Sequence, residues 1–148
     1  MYHLAKNLYN YCKSKREREI SLAIIGLPNA GKSTIKEVVG GNLTPLTVPT
    51  IGVTRPIKLK IGAYNVTIYD LGGQVRDLWK KYYHEIYGAI WVVDAADIEQ
   101  LECSKEALHE DARHEMFNGK PILIFANKQD LPQALSESDL ALKMGLDK

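Results

Sequence analysis

A chain of 148 residues, 45% hydrophobic and 25% charged, can bury one core, and its length makes a single domain the expectation. The formal charge of +1 gives no bulk attraction for nucleic acid, so no nucleic-acid partner is expected, and no apolar run is long enough to cross a bilayer. Two cysteines, Cys12 and Cys103, make neither a disulfide framework nor a metal pattern, and the first residues lack the apolar core of a secretory leader, which points to a cytoplasmic protein.

Residues 1–18 stand apart from the rest. Met1, Leu4, Leu8 and Tyr11 share one helical face, and Lys13, Lys15, Arg16 and Arg18 follow as a basic cluster. Two readings stay open: an ordinary packed or frayed helix, or an interfacial helix with its apolar face in the headgroup layer and its cations on anionic lipid. From residue 19 onward, strand-like runs recur at 20–25, 53–61, 65–69, 89–93 and 122–126, with helical stretches at 32–39, 78–87, 98–114 and 135–144. This alternation predicts an α/β domain with a mostly parallel sheet covered on both faces. LAII, AIWVV and PILIFA are continuously apolar, as buried strands should be. PIKLKI and NVTIYD alternate and flank the turn Gly62-Ala63-Tyr64, which predicts one antiparallel hairpin at an edge of the sheet.

The stretch GLPNAGKST runs from Gly26 to Thr34, behind one strand and ahead of one helix. Gly26, Gly31, Lys32 and Ser33 satisfy G-x-x-x-x-G-K-[ST] in the context the motif requires. Backbone N–H groups over Asn29, Ala30, Gly31, Lys32, Ser33 and Thr34 would converge on phosphate oxygens at the helix N-terminus. Lys32 would reach the β- and γ-phosphates and the Ser33 hydroxyl would ligate magnesium. Pro28 has no N–H, so it fits only where the loop turns the chain before the main donors begin.

DLGGQ closes the run NVTIYD. At a strand end facing a phosphate loop, Asp70 can hold magnesium through water, Gly73 can offer its N–H to a γ-phosphate, and Gln74 can orient an attacking water as the catalytic residue. Asn127, Lys128, Gln129 and Asp130 follow PILIFA at the carboxyl edge, where open α/β sheets bind ligands. Asp130 can accept from N1–H and the 2-amino group of guanine, a donor pair that adenine lacks, while Asn127 and Lys128 would brace this loop against the phosphate loop.

GLPNAGKST, VPTIGV, DLGGQ, LWKKYY, WVVDAAD and ANKQDLP together resemble the Arf family of small GTPases, from about Glu19 to the end of the chain. The resemblance implies a P-loop G domain over 19–148 that binds GTP or GDP with Mg2+. It makes Thr50 a magnesium ligand in the GTP state. It also implies an exchange factor, an activating protein and effectors, and a hairpin over 53–69 that shifts register to release the N-terminal segment towards membrane. Several segments look most like the cilium-associated Arf-like subgroup, which adds a peripheral membrane or ciliary location. An ATPase is disfavoured by Asp130.

Several positions depart from the pattern. Tyr2 removes the myristoylation signal, leaving Cys12 as either an acylation site or an idle thiol. Pro28 stands where the family usually has Asp, and only Val75, Arg76 and Asp77 separate Gln74 from Leu78, two residues fewer than usual. Weak, partner-dependent hydrolysis is therefore the expectation, with a nucleotide-impaired scaffold as the alternative. The family pattern continues with a further strand, a base-recognition loop and a last helix that this sequence does not contain, so the run 122–126 should lie at the sheet edge with apolar side chains exposed. Arg76, Arg113, His84, His109 and His114 read as surface residues.

Overall fold

The computed structural model describes residues 18–42, 49, 51–74 and 76–146. The segment 1–17, with Cys12 and the apolar and basic positions before Arg18, lies outside the described residues, as does Thr50.

Five strands, β1 (Arg18–Ile25), β2 (Ile57–Ile61), β3 (Tyr64–Asp70), β4 (Gly88–Asp94) and β5 (Ile122–Asn127), form one sheet in the order β2-β3-β1-β4-β5. β1 runs parallel to β3 and β4, and β4 parallel to β5, while β2 and β3 make the one antiparallel hairpin. The register pairs Ile24 with Asp70 across β1 and β3, and Asp94 with Asn127 across β4 and β5. The carboxyl ends of β3, β1, β4 and β5 therefore meet at one edge, where the motif residues collect.

Alternation along the buried strands divides the interior into two layers. Ala23, Ile25, Trp91 and Val93 point to one face, where they meet Trp79, Tyr83, Phe117 and the helices α2 (Ile98–Ala112) and α3 (Glu137–Met144) through Leu101, Leu108, Leu140 and Met144. Ile24, Val66, Ile68 and Val92 point to the other, under Ile35 of α1 (Lys32–Val39). Trp79 and Trp91 meet edge to face with centroids 5.7 Å apart. α2 begins where the Asp97 side chain accepts from the Gln100 N–H, and α3 where Ser136 does the same for Asp139.

Two elements differ from expectation. The strand expected over 53–61 begins only at Ile57, because Pro56 lacks a donor, and Val53 keeps a single isolated bridge to Leu71. The helix expected over 78–87 is a 3-10 helix, Arg76–Lys81, followed by turns. Its helical apolar spacing is real, since Trp79, Tyr83 and Ile86 are all buried. The segment is pinned at both ends, by Trp79 Nε1 donating to the Gly72 carbonyl and by the Tyr87 N–H donating to Ser21, and tertiary tethering overrides the helical preference. Among the described residues β5 is an edge strand, with Leu123 58% and Phe125 40% exposed. No described helix is long and apolar enough to cross a membrane.

Candidate functional site

β1 delivers the chain to the loop between Ile25 and Lys32 in the middle of the sheet. Asn29 adopts φ 62°, a left-handed value that asparagine tolerates better than most side chains. Gly31 adopts φ 93° with the Asn127 amide packed where a Cβ would stand. Asn127 Nδ2 donates to the Ala30 carbonyl at 2.8 Å, so the loop after β5 is tied to the loop after β1, as its sequence position suggested. Lys128 takes a different partner: its Nζ lies 2.6 Å from Asp94 Oδ2, at the end of the neighbouring strand.

A cleft of about 350 Å³ opens over this loop and is lined by Pro28, Asn29, Gly31, Lys32, Ser33, Thr34, Pro49, Gly73, Gln74 and Lys128. Two of the lining residues are cationic and none is acidic, so the cleft suits an anion. Lys32 is only 5% exposed, and burial lowers its pKa to about 8 against the opposing pull of Asp70. Its ammonium donates to the Leu27 carbonyl at 2.7 Å, a contact that holds the side chain across the loop.

Behind the cleft, Ser33 Oγ donates to Asp70 Oδ2 at 2.6 Å, joining the first turn of α1 to the end of β3. Asp70 is fully buried, yet its second oxygen, Oδ1, has no partner. A buried carboxylate oxygen left unsatisfied is costly, and a magnesium-bound water would satisfy it. Among the described residues no cluster of three or more His, Cys, Asp or Glu could hold a metal by itself. One carboxylate and one hydroxyl beside an anion cleft nevertheless fit magnesium, which keeps most of its water and takes phosphate oxygens as ligands.

Gly73 lies directly on the phosphate loop, where a Cβ would come 2.5 Å from the Pro28 nitrogen and 2.7 Å from the Gly26 carbonyl oxygen. Gly72 is held from both sides, its N–H donating to Gly52 at 2.6 Å and its carbonyl accepting from Trp79. Gln74 is exposed but lines the cleft. Asp130 is exposed and does not line it; it sits on the turn beyond Lys128, itself in the left-handed region at φ 61°.

The model of the ADP-ribosylation factor family matches residues 5–148. The chain belongs to that family. ADP-ribosylation factor-like protein 13B of Chlamydomonas reinhardtii is 40% identical over 148 residues, which span 99% of this chain but only 28% of the algal protein. ADP-ribosylation factor-like protein 8b of Arabidopsis thaliana is 38% identical over 133 residues, covering 88% of this chain and 72% of its own. The structure of the Arl6 BBS3 small GTPase from Trypanosoma brucei, with the nucleotide analogue GppNp bound, matches with a TM-score of 0.75 at 29% identity over 86% of this chain and 78% of that one. The expected family and the expected mixed sheet of a small G domain are both borne out.

Three features escaped sequence reading. Lys36, one turn after Lys32 on α1, is buried and reaches Thr54; the i, i+4 spacing of the two lysines was the available signal. Asp94 partners Lys128, as its position at the end of WVVD could have suggested. Arg76 is no solvated surface residue: Nη2 contacts Asp111 at 3.1 Å, Glu110 at 3.2 Å and the Ala107 carbonyl at 3.2 Å, which ties the segment after Gln74 to α2. His109 and His114 are likewise half-buried, His109 Nε2 donating to the Met144 carbonyl and His114 packing edge-on against Tyr83.

Proposed function

We propose that this Arf-family chain is a guanine-nucleotide switch that binds GTP and GDP with magnesium, hydrolyses GTP slowly and with help from a partner, and recruits effectors in its GTP state. The observation that carries this reading is the Ser33–Asp70 contact with an orphaned Asp70 oxygen beside an anion cleft. Amides of Asn29, Ala30, Gly31, Lys32, Ser33 and Thr34 bind the phosphates. The Lys32 ammonium leaves the Leu27 carbonyl for the β- and γ-oxygens, a reach its buried, already desolvated position favours. Ser33, Thr50 in the GTP state and Asp70 through water would hold magnesium, whose charge would offset that of the β- and γ-phosphates. Gly73 offers its N–H to the γ-phosphate and Gln74 orients the water. Asn127 braces the base loop, Lys128 flanks it, and Asp130 closes on guanine when the ring arrives.

Fluorescent GDP, GTP and ATP titrated into the full chain with magnesium should give saturable binding of the two guanine nucleotides alone, and Asp130→Asn should lose that preference. Equal affinity for ATP, or an unchanged preference in the variant, overturns the reading. A second reading, a scaffold with impaired nucleotide binding, is favoured by Pro28 in the cleft wall and by the three residues that separate Gln74 from Leu78. Absence of binding to all three nucleotides by folded protein supports it.

Membrane recruitment rests on residues 1–18, whose apolar and basic faces suit an anionic bilayer. Co-sedimentation with vesicles containing phosphatidylserine, stronger with a GTP analogue than with GDP, is the expected behaviour. The resemblance of several sequence segments to the cilium-associated Arf-like subgroup favours a ciliary location, which localisation of a tagged chain tests.

A further inference from the structure

Lysine is almost never fully buried unless it is paired. Lys36 is 5% exposed, with three polar partners around its ammonium. Its Nζ donates to Thr54 Oγ1 at 2.9 Å and towards the Arg55 carbonyl at 3.5 Å, and it pairs with the half-exposed Glu37 carboxylate at 3.2 Å. The Thr54 hydroxyl in turn donates to Asp70 Oδ2 at 3.4 Å, the oxygen that also accepts from Ser33, and the Thr54 N–H donates to the Asp70 carbonyl. An ammonium, a hydroxyl and a carboxylate therefore stand in series, with the charge no more than about 6 Å from the metal-binding carboxylate.

In such a series the cation polarises the hydroxyl towards the carboxylate, and burial strengthens the effect. Lys32 approaches the same carboxylate from the phosphate side, but its ammonium is taken up by phosphate when nucleotide binds. Lys36 does not line the cleft, and its ammonium is held by Thr54 and Arg55 in the strap that leads to β2. Its charge acts on Asp70 whether or not the metal is present.

We propose that Lys36 is a positioning residue for magnesium: through Thr54 it supplies part of the positive charge that Asp70 otherwise draws from the metal, and so makes nucleotide retention less dependent on magnesium. This rests on the guanine-nucleotide reading above. Without Lys36, Asp70 is less well balanced in the metal-free state and the metal is less repelled in the bound state. Both changes raise the ratio of the nucleotide release rate in EDTA to that in excess magnesium.

The test is release of fluorescent GDP from the loaded full chain, chased with unlabelled GDP, across a magnesium titration. Lys36→Met should raise the ratio of rates about tenfold over wild type and move the magnesium midpoint to lower concentration. Lys36→Arg, which keeps the charge, should restore the wild-type ratio to within about twofold. Thr54→Val, which leaves the lysine and removes the hydroxyl link, should shift the ratio in the same direction by less, and serves if Lys36→Met does not fold. An unchanged ratio in folded Lys36→Met, or a rise in both rates by the same factor, overturns the proposal while leaving the nucleotide reading intact. Failure of wild type to retain GDP in either buffer overturns both.

Discussion

Replacing Lys32 by Met should make the nucleotide-free protein more stable while abolishing its nucleotide affinity. Burial moves the Lys32 pKa from the ordinary 10.5 to about 8, so near neutral pH the folded state holds an ammonium in surroundings that disfavour it. At about 1.4 kcal/mol per pH unit the cost comes to about 3 kcal/mol. The variant also loses the hydrogen bond to the Leu27 carbonyl, worth about 1 kcal/mol. The net expectation is a gain of about 1–2 kcal/mol. The sign of the pH dependence follows from proton counting. Below about 8 both states carry the proton and the cost is present in full; between about 8 and 10.5 the unfolded chain binds more protons, so stability rises with pH. Urea unfolding in EDTA without nucleotide, wild type against Lys32→Met, should therefore show an advantage for the variant at pH 7 that shrinks as pH approaches 10. A variant less stable than wild type at pH 7, or a difference that does not change with pH, refutes the reasoning.

Arg76→Gln should destabilise the fold by about 2–4 kcal/mol, because it leaves Asp111, 4% exposed, as a buried charge without its main partner; denaturant midpoints measure it, and a loss below about 0.5 kcal/mol would make the contact superficial. Gly73→Ala should force the turn off the phosphate loop, since its Cβ would meet backbone rather than a movable side chain. Analogue binding by the GTP form should suffer more than GDP binding, and equal affinities for both would place Gly73 outside γ-phosphate recognition. Single-turnover hydrolysis should be slow in wild type, because the three residues between Gln74 and Leu78 leave little slack and Arg76 anchors their middle to α2; a rate that rises in a chain with two residues inserted after Gln74 supports this, and an unchanged rate does not.

The mostly parallel sheet with its antiparallel edge hairpin and the loop-to-helix break at Gly26–Lys32 were legible because they depend on local pattern, on continuous or alternating apolar runs and on residue types that only certain backbones accept. So was the grouping of Ser33 with Asp70, since Ser33 opens the helix behind β1 and Asp70 closes β3, and the two strand ends share one sheet edge. What could not be read depends on distance in space. The 78–87 run has helical spacing but is tethered through the carbonyl of Gly72, just before it, and through Ser21, far away in sequence. Arg76 and Lys36 carry charges that a pattern assigns to solvent, and only the packing of α2 and of the Thr54 strap turns them inward. Asp130 was given its role by chemistry that the ring supplies, so its exposed position without the ring is unsurprising.

β3 presents Val66, Ile68 and Asp70 to the same side, with Ile24 opposite Asp70. Any sliding of the hairpin along β1 must therefore proceed in steps of two, since a shift of one would turn the carboxylate away from the serine and drive its neighbours' apolar groups outward. A step of two carries Asp70 about 7 Å, far beyond reach of Ser33. Ladder pairing and the meeting of serine with carboxylate are thus two readings of one ruler: the hairpin can occupy only discrete notches, and the one seen here sets Asp70 against Ser33, where the proposed cation would be held.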